Sequence, residues 1–101
     1  MNEVLNAKIT CVEKKSNFAK YEILGLERGF GVTLGGSLER IMLKTFEHVT
    51  KVEKHIREEN DKDALILKIT TDGEESPNDI LVQASKKLKE YFDVFTKVNF
   101  K

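Results

Sequence analysis

The residue types able to do chemistry in this chain are few: a glycine-punctuated loop, two histidines, two pairs of adjacent carboxylates, a lysine cluster and one cysteine. Gly29-Phe30-Gly31 opens like a dinucleotide-binding loop, but the third glycine of that pattern would fall at position 34, which is leucine. No glycine loop runs directly into Lys-Ser or Lys-Thr, so the sequence contains no phosphate cradle of that kind. His48 and His55 lie on opposite faces of an expected strand with no cysteine near them, a poor arrangement for a shared metal. Glu58-Glu59 and Glu74-Glu75 sit in polar stretches where nothing would raise a carboxyl pKa toward acid–base work. Lys86, Lys87 and Lys89 read as the solvated face of a helix. Cys11 has no partner for an internal disulfide and alternates with Leu5, Ala7 and Ile9. It is expected to be a small core residue in a reducing cytosol. No catalytic residue, metal site or cofactor is expected, and an enzyme is not indicated.

What remains is the chemistry of recognition. Residues 26–47 read LERGFGVTLGGSLERIMLKTFE. Gly25, Gly29 and Gly31 supply the freedom for a sharp turn, and Thr33 is expected to cap the helix that follows. Leu34, Leu38, Ile41, Met42 and Phe46, with Thr45 alongside, recur at spacings of three and four and form one apolar stripe. Gly35 and Gly36 each cost about 1 kcal/mol against alanine within a helix, a cost retained mainly where another backbone comes close. At about 100° per residue, Gly36, Arg40, Leu43 and Glu47 share the face opposite the stripe. A leucine beside an arginine over a glycine is either a solvated face with one stray leucine or a contact face for another protein.

The elements that must position that helix follow from alternation and turn chemistry. Residues 4–13 alternate Leu5, Ala7, Ile9 and Cys11 against polar neighbours, and residues 18–24 resume with Ala19, Tyr21 and Ile23 after a polar turn at 14–17. This predicts a hairpin. A further strand is expected over 49–56, then a charged loop, REENDKD, over 57–63, then a strand over 64–71. Ser76 is a good N-cap, Pro77 suits the first helical position, and Asp79 stands third. From there Leu81, Ala84, Leu88, Tyr91, Phe92 and Phe95 recur at helical spacing, widened by Ile80, Val94 and Val98. So broad an apolar surface exceeds what one small sheet covers, and a partner is expected to bury the rest. The order β-β-α-β-β-α describes an α+β layer: a four-stranded antiparallel sheet with two helices on one face.

The composition sets limits. At 101 residues the chain is read as one domain, 1–101. Its 17 basic and 17 acidic side chains give a formal net charge of zero, so no global field draws it to nucleic acid, and no specific DNA binding is expected. The longest aliphatic run, residues 64–67, is far too short to span a bilayer, and the first residues lack a secretory pattern. A cytoplasmic protein is expected.

The run LERGFGVTLGGSLERIML, residues 26–43, resembles the signature of the bacterial RNA polymerase alpha subunit in its N-terminal assembly domain. That family phrase reads close to LERGFGxTLGNxLRRILL, so Gly36 stands for the usual asparagine and Glu39 for the first of two arginines. A second block, ITTDGEESPNDILVQASKKLKEYFDVF at 69–95, is similar to the segment that ends the same domain. The resemblance implies a non-catalytic scaffold that dimerises through its two helices and presents one face to the large catalytic subunits. Carried over by position, Arg40 is the second arginine of the phrase and Leu43 the aliphatic one turn on. With Gly36, Glu47 and Arg28 they are assigned to large-subunit binding. Phe30, Leu34, Leu38, Ile41, Met42, Leu81, Leu88, Tyr91, Phe92 and Phe95 are assigned to the dimer interface. The partner is a second copy or another alpha-like chain. In wording the chain resembles the bacterial subunit, but in length it resembles the insert-free small assembly subunits of archaeal and nuclear polymerases. A minimal form without the inserted domain or the C-terminal DNA-binding domain is therefore expected. A different role for such a form is a decoy that binds host polymerase subunits and modulates assembly.

Overall fold

Alternation at the start of the chain produces a tight hairpin. In the computed structural model, which describes residues 6–99, strand β1 (Lys8–Lys15) pairs antiparallel with β2 (Phe18–Leu26), and Lys15 faces Phe18 across a two-residue turn. Helix α1 (Phe30–Thr45) follows, then β3 (Val49–Glu59), β4 (Lys62–Thr71) and helix α2 (Pro77–Phe95). The strands form one antiparallel sheet in the order β1-β2-β4-β3. The expected β-β-α-β-β-α order and α+β class are what the structure has.

Both helices lie on the sheet face that carries Ala19, Tyr21, Val52, Leu67 and Ile69, and Met42, Ile80 and Ala84 close the core from above. The shortest dimension is 18 Å, the thickness of two layers, so no third layer covers the outer side of the helices. β4 is one of the two inner strands, and Ala64 to Leu67 are all buried in it, so they read as a continuous apolar run and not as an alternation. No helix of the described residues is long and apolar enough to cross a membrane.

The charged stretch at 57–63 is not a loop. β3 continues through it to Glu59, and Asn60 and Asp61 turn the chain with φ of 53° and 63° before Lys62 pairs back on Glu59. Two consecutive left-handed residues make the mirror-image turn that matches strand twist, and Asn-Asp tolerates it. The charges that suggested a loop lie on an edge strand, where they also hinder pairing with other chains.

β1 corrects a second expectation. Every described residue of the strand is exposed, Cys11 included, so the cysteine is not part of the core. The strand has the predicted alternation, but it is an edge strand and the helix layer stops short of it, leaving Ile9 exposed on the helix side. Leu5, also expected in this core face, lies outside the described residues.

Candidate functional site

α1 is held in place by a residue absent from any sequence motif. Asp63, at the start of β4 and only 5% exposed, accepts hydrogen bonds from the Gly29 and Gly31 amides at 3.0 and 2.9 Å. These are the unpaired donors of the first turn of α1, where the positive end of the helix dipole lies. Thr33 is therefore not the cap. The helix begins earlier, at Phe30, and the Thr33 hydroxyl donates to the Gly29 carbonyl at 3.2 Å. Gly29 needs its freedom, with φ at 95°, and so does Gly25 at 82° beside the bulge that ends β2. Gly31 is helical and serves another purpose. A Cβ there would lie 3.0 Å from Asp63 Oδ2 and 3.1 Å from Ile56.

The close approach continues one turn on, where a Cβ on Gly35 would meet Leu65 at 3.0 Å and the Lys54 stem at 3.3 Å. Gly31, Gly35 and Met42 thus make up the line of α1 that beds onto the sheet. Met42 is fully buried there, which corrects its assignment to a dimer interface: the chain's own core consumes it. Leu38 and Ile41 are half-buried against the same core.

Between α1, α2 and the β1–β2 side of the sheet runs an apolar groove of about 780 Å³. Leu34 and Leu38 line one wall, Leu81, Val82 and Leu88 the other, with Ile9 and Ile23 at the floor. α2 is fixed at its first turns only. Ser76 Oγ accepts from the Asp79 amide at 3.1 Å, and Pro77 occupies the first turn as expected. The buried Tyr21 hydroxyl donates to Asn78 Oδ1, tying this end of the helix to β2. Burial, with the Cys11 thiol nearby, pushes the Tyr21 pKa up to about 12. Beyond Ala84 the helix overhangs its own sheet. Tyr91 and Phe92 are each 58% exposed and Phe95 is 73% exposed, while Val94 and Val98 are exposed beside them. Phe92 and Phe95 pack on each other at 6.4 Å between ring centres. Phe30 and Leu34 on α1 are also open, so, while Leu38, Ile41, Leu81 and Leu88 are half-buried, five of the ten residues assigned to a dimer surface are exposed. Val82 and Ile9 join them, and sequence reading missed both as contact residues. Val82 follows Leu81 directly, and its own spacing to Ser85 and Lys89 hides it.

The outer face of α1 carries Gly36, Arg40 and Leu43. Arg40 and Leu43 are exposed, and a Cβ on Gly36 would touch nothing within 4 Å. Among the described residues Arg40 makes no ion pair. Glu47 is exposed but lies past the helix end in the turn to β3, so it flanks this face and does not share it. Arg28 stands apart, paired within its own chain to Glu58 at 3.0 Å and Asp63 at 3.5 Å. Glu39, where the family phrase has arginine, bends inward onto Lys54 of β3 at 2.6 Å, so its charge is answered by the sheet beneath.

The connectors at the opposite end of the helices meet through His48, whose Nδ1 lies 2.9 Å from Asp72. That hydrogen bond raises the His48 pKa above its ordinary 6.5, and the same bond lowers that of Asp72. Among the described residues no three His, Cys, Asp or Glu side chains gather as a metal would require.

Comparison with known proteins places this geometry. The family described as the RNA polymerase Rpb3/Rpb11 dimerisation domain matches residues 26–92. The chain is similar to DNA-directed RNA polymerase subunit alpha of Desulfitobacterium hafniense, 47% identical over 47 residues, covering 45% of this chain and 15% of that protein. It is similar also to the same subunit of Clostridium perfringens, 45% identical over 51 residues, covering 48% of this chain and 16% of the relative. The chain thus spans about a sixth of the length of these relatives. Among solved structures, DNA-directed RNA polymerase subunit L from Thermoplasma acidophilum shares the fold, with a TM-score of 0.68 at 20% identity over 91% of this chain and 85% of that one.

Proposed function

The chain belongs to the RNA polymerase Rpb3/Rpb11 dimerisation domain family, and from that premise we propose that it is a non-catalytic assembly subunit of a DNA-dependent RNA polymerase. In this reading the helix layer pairs with a second alpha-like chain, and the outer face of α1 docks the large subunits. The observation that carries it is the overhang of α2. Three aromatic rings stand in water beside an apolar groove on the same face. Burying a side chain of that size stabilises by roughly 1.5–3 kcal/mol, so a face with several of them favours a covered state. Phe30, Leu34, Leu88, Tyr91, Phe92 and Phe95 would be covered by the paired chain. Arg40 and Leu43, pointing the other way, stay free for the large subunits, with Gly36 leaving room for close approach. Arg28 supports the loop that orients α1 and contributes to docking only indirectly. The role is cytoplasmic and uses no cofactor.

Co-purification tests this reading. Tagged chain expressed in its native cell should bring down the large polymerase subunits in an active complex. Arg40→Ala should lower that capture about tenfold or more, the loss typical of an arginine anchor at an interface, while the isolated protein keeps its fold and its pairing. Capture unchanged by Arg40→Ala would place the docking face elsewhere. A complex without large subunits would remove the assembly role.

A further inference from the structure

The sheet has a second face, turned away from both helices. Its register sets Glu13, Lys20, Lys68 and Glu53 side by side in one row across β1, β2, β4 and β3. Lys20 and Lys68 alternate with Ala19, Tyr21, Leu67 and Ile69 of the core, so they point outward. They stand directly opposite each other on the two inner strands. Like charges opposite one another destabilise a sheet, so this row carries a cost that an alternating row would avoid. The cations around the pair are answered within the chain. Lys15 lies 3.9 Å from Glu13, Lys51 lies 2.8 Å from Glu53, and Arg57 reaches across β4 to Glu22 at 3.5 Å. The central pair is left over. Among the described residues Lys20 makes no ion pair, and Lys68 has only the second oxygen of Glu53, at 3.9 Å, the first being held by Lys51.

We propose that Lys20 and Lys68 are the docking point for a carboxylate-bearing segment of another protein, seated on the outer face of the sheet. Charge complementarity identifies that occupant. A carboxylate placed between two ammonium groups makes charge-assisted hydrogen bonds to both and removes the repulsion that the isolated chain carries. Half-buried Phe18 lies in the adjoining row, opposite Thr70, and gives an apolar neighbour of that carboxylate something to cover. Lys8, Lys15, Lys51 and Arg57 share the face, so its field is positive although the formal net charge of the chain is zero. A nucleic acid fits this face less well. Duplex DNA carries a charge about every 1.7 Å of its axis, and Glu13 and Glu53 stand only about 5 Å from the lysines on either side. Phosphates beside the central one would meet carboxylates, whereas a single acidic side chain fits between them. The face lies across the sheet from the helix layer, so the proposal does not depend on what covers the helices.

The test compares the purified full chain with the double variant Lys20→Gln, Lys68→Gln in two measurements. In chemical denaturation the variant should unfold at a higher midpoint than wild type at low salt, and the gain should shrink at high salt as the repulsion is screened. In an NMR titration with a soluble synthetic peptide of glutamate, leucine and alanine, the wild-type amide shifts should centre on residues 18–20 and 66–70. The variant should bind that peptide about tenfold more weakly or worse. The same peptide with glutamine for every glutamate should not bind. A variant gaining stability while losing the peptide is the signature of a site kept for binding. A variant less stable than wild type at both salt concentrations gives the lysines a structural role and overturns the proposal. So does a wild-type chain that ignores the acidic peptide, binds the glutamine peptide equally, or shifts instead around Lys86 and Lys87 of α2. A single-stranded oligonucleotide that binds the same amides more tightly than the peptide overturns the carboxylate segment as occupant.

Discussion

Asp63 shows how much of this fold depends on one carboxylate. It is buried, it satisfies two amides at the start of α1, and Arg28 reaches its other oxygen. Asp63→Ala would leave those donors unpaired, each at about 1–3 kcal/mol where water cannot reach, so chemical denaturation should show a loss of several kcal/mol. Asp63→Asn retains an acceptor and should lose less. Gly35 and Gly36 separate in the same experiment. Gly36→Ala meets open space and should stabilise by up to about 1 kcal/mol through helix propensity alone. Gly35→Ala presses on Leu65, and overpacking of about 1–3 kcal/mol should cancel or reverse that gain. The sequence shows two adjacent glycines and no way to rank them, because what distinguishes them is the sheet beneath. Asp63 was equally illegible. Seven polar residues in a row look like a loop, and only the Asn60-Asp61 turn, a recognisable hairpin pair, hints that the chain doubles back and carries Asp63 under the helix. Arg40 and Leu43 were legible because an exposed face is set by helical period alone.

At the scale of elements, period and capping determined most of what forms, and packing determined what each element is for. The Ser76-Pro77 start of α2 is local chemistry and reads directly from sequence. The exposure of its far half does not, since it depends on where the sheet ends. β1 has the same history: its alternation is correct, and its position as an uncovered edge strand is a matter of topology. The junction of His48 and Asp72 links the turn after α1 to the turn before α2, and it titrates. His48 has a raised pKa in the folded chain, so its contribution is complete below histidine's ordinary 6.5 and is lost as pH rises through the raised value. Asp72 has a lowered pKa, so its contribution is complete above the ordinary carboxylate range and is lost as pH falls through the lowered value. The pair therefore works between those limits. NMR titration should place His48 above 6.5, and Asp72→Asn should bring it back down. A His48 that titrates identically in both proteins would mean the contact does not form in solution.

For the whole molecule, the question is which apolar residues hold the chain together and which wait for another chain. Ile80 is fully buried in the core, whereas Phe92 and Phe95 stand in water about two to three turns beyond the last buried residue of the same helix, Ala84. Equal hydrophobicity then has opposite consequences. Ile80→Ala should lower the unfolding free energy of the isolated chain by about 2–5 kcal/mol, because it leaves a cavity between helix and sheet. Phe92→Ser with Phe95→Ser removes far more apolar volume, yet in a monomer each change should stay within about 0.5 kcal/mol, the range of surface substitutions. Their effect should appear instead as a dimer that dissociates on dilution. The two readouts diverge in a way that tests the account of the molecule. Thermal unfolding measured across a range of protein concentrations should give a midpoint that climbs with concentration in wild type and stays fixed in the double serine variant, since only a folded state held by a partner is stabilised by mass action. If the double variant melts as a broken core would, with a large loss at every concentration, then those rings are packed within the chain itself and the two-layer arrangement with an open helix face is wrong.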